Sequence, residues 1–167
     1  FTDELKEKEI LFSFALNEDV GFEMNIDGTF GGTPDVIHNG TDTVDWTGTN
    51  IAGSKVTFDS TDQPHAGTKS VKVNKPAASN IWQFDKGSTL TVANYVAFSM
   101  FIYVTSGWTA GNSIIMYGFD TGTGLQVGDS ISLQDYFNEQ NFGVYQKLSI
   151  PFADMNLTAD IDSIRME

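Results

Sequence analysis

Asn94-Tyr95-Val96-Ala97-Phe98-Ser99-Met100-Phe101-Ile102-Tyr103-Val104-Thr105 is the longest β-like apolar run in the chain, and its reading decides the fold. On an extended backbone Val96, Phe98, Met100, Ile102 and Val104 point one way, and Ala97, Ser99, Phe101 and Tyr103 point the other. A period of two carried by branched and aromatic residues predicts a strand covered on both faces. Hydrophobicity alone would also admit a helix, but the residue types and the flanking turn formers favour the strand. A central strand of this kind implies a sheet sandwich or barrel.

The segments around it follow the same pattern. Upstream, 10–16 (Ile-Leu-Phe-Ser-Phe-Ala-Leu) alternates and predicts a first strand, with a helix continuing through residue 16 as the rival. Residues 2–9 suit a short helix that Thr2 caps, with Glu4 and Lys8 paired at i,i+4, and 1–9 is expected to be a connector from an upstream domain. From 17 to 50 the texture turns to glycine, threonine, asparagine and aspartate, which predicts a long surface excursion with a short strand at 43–47 around Trp46. Further strands are expected at 55–59, 69–74 and 81–85, then a turn at Lys86-Gly87-Ser88 and a lead-in over 89–92. Beyond the central run come strands at 113–119, 145–152 and 161–166, a return at 125–127, and one helical turn within 130–142. Short strands at regular spacing with almost no helix predict an all-β protein, an antiparallel sandwich of jelly-roll type spanning 10–167.

Charge narrows the partners. Lys plus Arg number 9 against 22 Asp plus Glu, a formal net charge of −13 in 167 residues. Such a balance repels a phosphate backbone and gives nucleic-acid binding no electrostatic footing. No apolar stretch reaches the roughly 18 residues of a membrane-spanning helix. There is no cysteine, hence no disulfide framework, thiolate metal site or cysteine nucleophile. Nor is there a Gly-x-Ser-x-Gly elbow or a His-Glu-x-x-His zinc helix, and the Ser54-Lys55 order reverses what a phosphate loop needs. Gly31-Gly32-Thr33-Pro34-Asp35 echoes a calcium-binding nonapeptide, but it occurs once and holds proline where glycine belongs. The chain is therefore read as non-enzymatic, with a glycoside-active enzyme fragment as a distant alternative.

Gln63-Pro64-His65-Ala66-Gly67-Thr68-Lys69-Ser70-Val71-Lys72-Val73 resembles the small-Gly-x-x-Ser-hydrophobic-x-hydrophobic signature of galactose-binding-like jelly rolls, the fold of many carbohydrate-binding modules. The Trp82-Gln83-Phe84 strand, the run after Tyr95, 145–151 and 161–165 follow in the matching order, so the resemblance covers about residues 55–167, with 10–19 a looser match. It implies a site where flat aromatic faces meet the apolar face of a sugar ring while polar side chains meet its hydroxyls. Candidates are Trp108 on a polar loop, then Trp46, Trp82, Tyr117 and Tyr136. It also implies a structural calcium, an ion that prefers oxygen ligands, with Glu18, Asp19 and Asp62 as candidates. Such modules close with a further strand carrying an aspartate near that ion, and here this strand is expected to be missing, supplied by a neighbouring subunit, or replaced by 161–167. His38 and His65 are expected at the surface. The function so implied is a carbohydrate-binding module, with glycan or polysaccharide as partner, in a larger extracellular or virion-surface assembly with neighbouring subunits. The alternative is a purely structural virion decoration or tail-fibre domain.

Overall fold

The computed structural model describes residues 23–28, 35–39, 45–53, 56–62, 64–65, 67–73, 80–105, 113–138 and 140–167. Among these, the chain forms eleven strands, all paired antiparallel, and two three-residue 3-10 turns. The strands are β1 (Glu23–Gly28), β2 (Asp35–Asn39), β3 (Thr47–Ala52), β4 (Val56–Ser60), β5 (Ser70–Val73), β6 (Ile81–Leu90), β7 (Tyr95–Tyr103), β8 (Ile115–Asp120), β9 (Leu125–Ser132), β10 (Tyr145–Pro151) and β11 (Ile161–Met166). A four-stranded sheet runs β10-β7-β1-β2, a five-stranded sheet runs β3-β6-β11-β8-β9, and β4 and β5 pair with each other.

The run that predicts the fold is β7, flanked on both sides by β10 and β1. Ala97, Phe98, Ser99 and Met100 are all buried, so both faces of its centre are covered, whereas Val96 at its start is 51% exposed. Ile26 lies opposite Phe98 on one side, and Leu148 and Ile150 lie opposite Met100 and Phe98 on the other. These side chains join one buried cluster with Trp82 and Phe84 of β6, Met116 of β8, and Ile164 and Met166 of β11. Each such side chain contributes on the order of 1.5–3 kcal/mol by leaving water.

A close approach fixes the β4–β5 hairpin on this core. The Phe58 ring meets Phe84 edge-on, with centroids 5.4 Å apart. The same ring fills the space over Gly48, where a Cβ would stand 2.2 Å from Phe58 Cδ1. Only a residue without a side chain lets β3 pass there.

Three expectations are corrected. Within 17–50, expected as a surface excursion, the described residues include β1, β2 and the start of β3, which pair into the two sheets, and Ile26 and Ile37 are fully buried. Their apolar content is thin, and pairing with a strong neighbour such as β7 overrides weak local propensity. The strand expected at 43–47 instead begins at Thr47, with Trp46 preceding it. Lys86-Gly87-Ser88 is no turn, because β6 continues through it as a bulge. Ser163 pairs with Asp85 and Ile161 already with Leu90, leaving the extra β6 residues unpaired. Gly87 takes φ +68°, and its N–H donates to Asp85 Oδ1 at 2.7 Å. The single helical turn expected in 130–142 is the 3-10 turn Leu133–Asp135. The expected N-terminal helix and first strand lie outside the described residues.

Candidate functional site

Alternation along the five-stranded sheet sends Trp82, Phe84, Met116, Ile164 and Met166 into the core, so the residues between them face outward. Register then lines those outward residues up. Thr49 pairs with Gln83, Gln83 with Arg165, and Arg165 with Tyr117, giving one row across β3, β6, β11 and β8. A second row beside it runs Thr47, Asp85, Ser163, Phe119 and Gln126. At about 4.8 Å between strands, the first row spans roughly 14 Å, enough for two or three sugar rings.

Arg165 organises the middle of this face. Its guanidinium lies over the Phe119 ring, 3.3 Å from the centroid, and its Nε donates to Gln83 Oε1 at 2.8 Å. Gln83 in turn donates from Nε2 to Asp85 Oδ2 at 3.4 Å. Ser163, paired with Asp85 and Phe119 in the second row, is fully buried, and its Oγ has no hydrogen-bond partner among the described residues. Phe119 and Gln83 are each 7% exposed, while Thr47, Thr49 and Gln126 are exposed and Tyr117 and Arg165 half-buried. Burial raises the Tyr117 pKa above its ordinary value, the Glu167 carboxylate adds to the rise, and Arg165 opposes it. At neutral pH the phenol is therefore protonated and able to donate. The face offers an aromatic ring, a fixed planar cation, an amide and hydroxyls side by side, groups that meet both the apolar and the hydroxyl faces of a sugar.

The other expected site residues lie elsewhere. Trp46 is 3% exposed, its Nε1 donating to Asp35 Oδ1 at 2.7 Å with Lys86 above the ring. Trp82 is 2% exposed on the core side of β6. Neither ring offers a face to solvent, because both fill the interior. Tyr136 packs against the core and donates to Asp154 Oδ2 at 2.8 Å. Trp108, Glu18 and Asp19 lie outside the described residues. Asp62 is ion-paired with Lys72, and among the described residues no three His, Asp or Glu side chains converge as metal ligands.

The histidines are corrected too. His38 is fully buried, and His65 is half-buried, stacked on Phe101 with centroids 3.9 Å apart and edge-on to Tyr145. Near that aromatic group a cavity of about 730 Å³ is lined largely by apolar residues, among them Val71, Val73, Trp82, Met100 and Phe101. Of its polar lining residues, Lys72 and Ser70 are tied to Asp62.

Arg165, Gln83 and Thr49 are site residues that reasoning from sequence missed. The signal was present in part: Gln83 sits between two core aromatics, and Arg165 between Ile164 and Met166. Which strands would place them in one row was not in the sequence. Compared with protein-family models, curated proteins and solved structures, the chain finds no match in any of the three.

Proposed function

We propose that this chain is a non-catalytic carbohydrate-binding module that takes its ligand on the outward face of the five-stranded sheet. The observation that carries the reading is the row Thr49, Gln83, Arg165 and Tyr117, set by strand register on one face. In it a half-buried aromatic ring adjoins side chains with hydroxyl, amide and guanidinium donors. The C–H face of a pyranose lies against Tyr117, and its hydroxyls exchange hydrogen bonds with the neighbours.

A glycan array followed by calorimetry tests the reading. Binding that falls at least about ten-fold in Tyr117→Ala, a loss of about 1.4 kcal/mol, supports it. The melting temperature of the variant should stay close to that of the parent. An array without signal, or a signal indifferent to Tyr117→Ala, would refute it.

A further inference from the structure

The carbohydrate-binding reading leaves the class of sugar open, and Arg165 narrows it; the inference below rests on that reading. Arg165 is the one arginine in a chain with 22 acidic residues. Among the described residues Lys69, Lys72 and Lys86 each pair with an aspartate: Asp59, Asp62 and Asp35. Arg165 and Lys147 pair with no carboxylate among the described residues, and of these two Lys147 is exposed while Arg165 is half-buried. Its partners, the Gln83 amide, the Phe119 ring and the neighbouring Tyr117 phenol, hold the guanidinium in place without neutralising it.

The orientation matters as much as the charge. With Nε committed to Gln83, the edge formed by Nη1 and Nη2 is the remaining bidentate edge of the fork, a geometry that matches a carboxylate. A half-buried cation without a counter-ion is costly to keep, and the cost is recovered when an anion arrives. Ser163, paired with Phe119 on the same face, is fully buried, and its Oγ is a second polar group there without a hydrogen-bond partner among the described residues.

We propose that this face selects an acidic saccharide, a hexuronate whose carboxylate accepts two hydrogen bonds from Arg165 Nη1 and Nη2 while its ring lies against Tyr117. A polyphosphate is disfavoured, since one arginine releases few counter-ions and the net charge of −13 repels a dense polyanion. For a short oligosaccharide the remote acids are screened beyond about 8 Å at physiological ionic strength. Of the carboxylates near this face, Asp85 already accepts from Gly87 N and Gln83 Nε2, and Glu167, whose charge raises the Tyr117 pKa, is the close-range repulsion that Arg165 must outweigh.

The test compares trimers of galacturonate, glucuronate and mannuronate with their methyl esters, which differ only in charge, by calorimetry at low and high salt. The expected result is that at least one acid binds about ten-fold or more tightly than its ester, with a ratio that shrinks as salt rises. Arg165→Gln should abolish the ratio, the acid losing more affinity than the ester until the two bind alike. Arg165→Lys, which keeps the charge but not the fork, should retain only part of it. Near-UV circular dichroism establishes that each variant is folded, and if the glutamine variant is not, the lysine variant decides. Equal affinity for acid and ester overturns the inference while leaving carbohydrate binding intact. A preference that survives Arg165→Gln, or an undiminished one in a folded Arg165→Lys, also overturns it. Absence of binding to every glycan, neutral or acidic, removes both.

Discussion

Lys86 Nζ of β6 and the Asp35 carboxylate of β2 form an ion pair that joins the five-stranded sheet to the four-stranded one. Their side chains are 17% and 13% exposed. Asp35 also accepts from Trp46 Nε1 at 2.7 Å and from the Tyr95 hydroxyl at 3.5 Å. A pair this withdrawn from water matters mainly through the penalty of leaving one member alone. Lys86→Met should cost about 2–3 kcal/mol, toward the low side because Trp46 and Tyr95 still serve the carboxylate. The double change with Asp35→Leu should cost less than the sum of the single ones, which denaturant titration of the four proteins measures. Strict additivity would mean that the pair does not couple the sheets.

The same cluster reports itself optically. Burial and the Asp35 charge push the Tyr95 pKa up, while Lys86 pulls it down. Removing Lys86 should therefore raise it further, and ultraviolet titration of Lys86→Met against the parent should show one phenol ionising at higher pH. An unchanged or lowered midpoint would contradict the arrangement.

Gly48→Ala should destabilise the fold by about 1–3 kcal/mol, the usual penalty of overpacking, because the new methyl group would enter the Phe58 ring. Shortening the ring partner in Gly48→Ala/Phe58→Leu should recover part of that loss. Thermal melts of both variants check the expectation; a neutral Gly48→Ala would mean that the hairpin does not seat there.

The tyrosines set an alkaline limit. Burial and the bond to Asp154 push Tyr136 up to about 12 from 10.0, and Tyr95, Tyr117 and Tyr145 are raised as well, chiefly by burial. Because the folded values exceed the unfolded one, the unfolded chain loses its phenolic protons first. The associated stability is complete below pH 10 and is lost as pH rises towards 12. Denaturant unfolding across that interval should show a falling midpoint, with a shallower fall in Tyr136→Phe. Equal slopes in both proteins would remove Tyr136 from the account.

Gln83→Leu probes the positioning of Arg165. It removes the acceptor that holds Nε, so the guanidinium loses its fixed direction while its charge remains. The acid-to-ester affinity ratio should fall several-fold, the acid losing more affinity than the ester, a split that simple loss of packing would not produce. A ratio equal to that of the parent would show that Phe119 alone suffices.

Much of the strand pattern was legible in the sequence, and the reasons are local. The alternation of 94–105 names β7, and Pro151 marks the end of β10. Lys86-Gly87-Ser88 misled because turn formers also build bulges when partners wait on both sides. β1 and β2 were obscured because few of their residues are apolar, and their place depends on β7. Of the candidate face, one aromatic, Tyr117, was already a candidate on sequence grounds. Trp46 and Trp82 looked similar as letters, but alternation and the Asp35 bond send both rings inward. The row through Arg165 depends on register between strands distant in sequence, which periodicity within a strand does not encode.

The placement of β11 between β6 and β8 has a kinetic consequence. Arg165 is 82 residues from Gln83, the partner of its Nε. Until that long loop closes, β6 and β8 have no shared neighbour and the sheet exists only as separate edges. Non-local pairing of this kind belongs with folding on the millisecond-to-second scale. The proposed recognition surface is then born in the same late event that seals the sheet, so on that reading a ligand-responsive molecule is one that has finished folding.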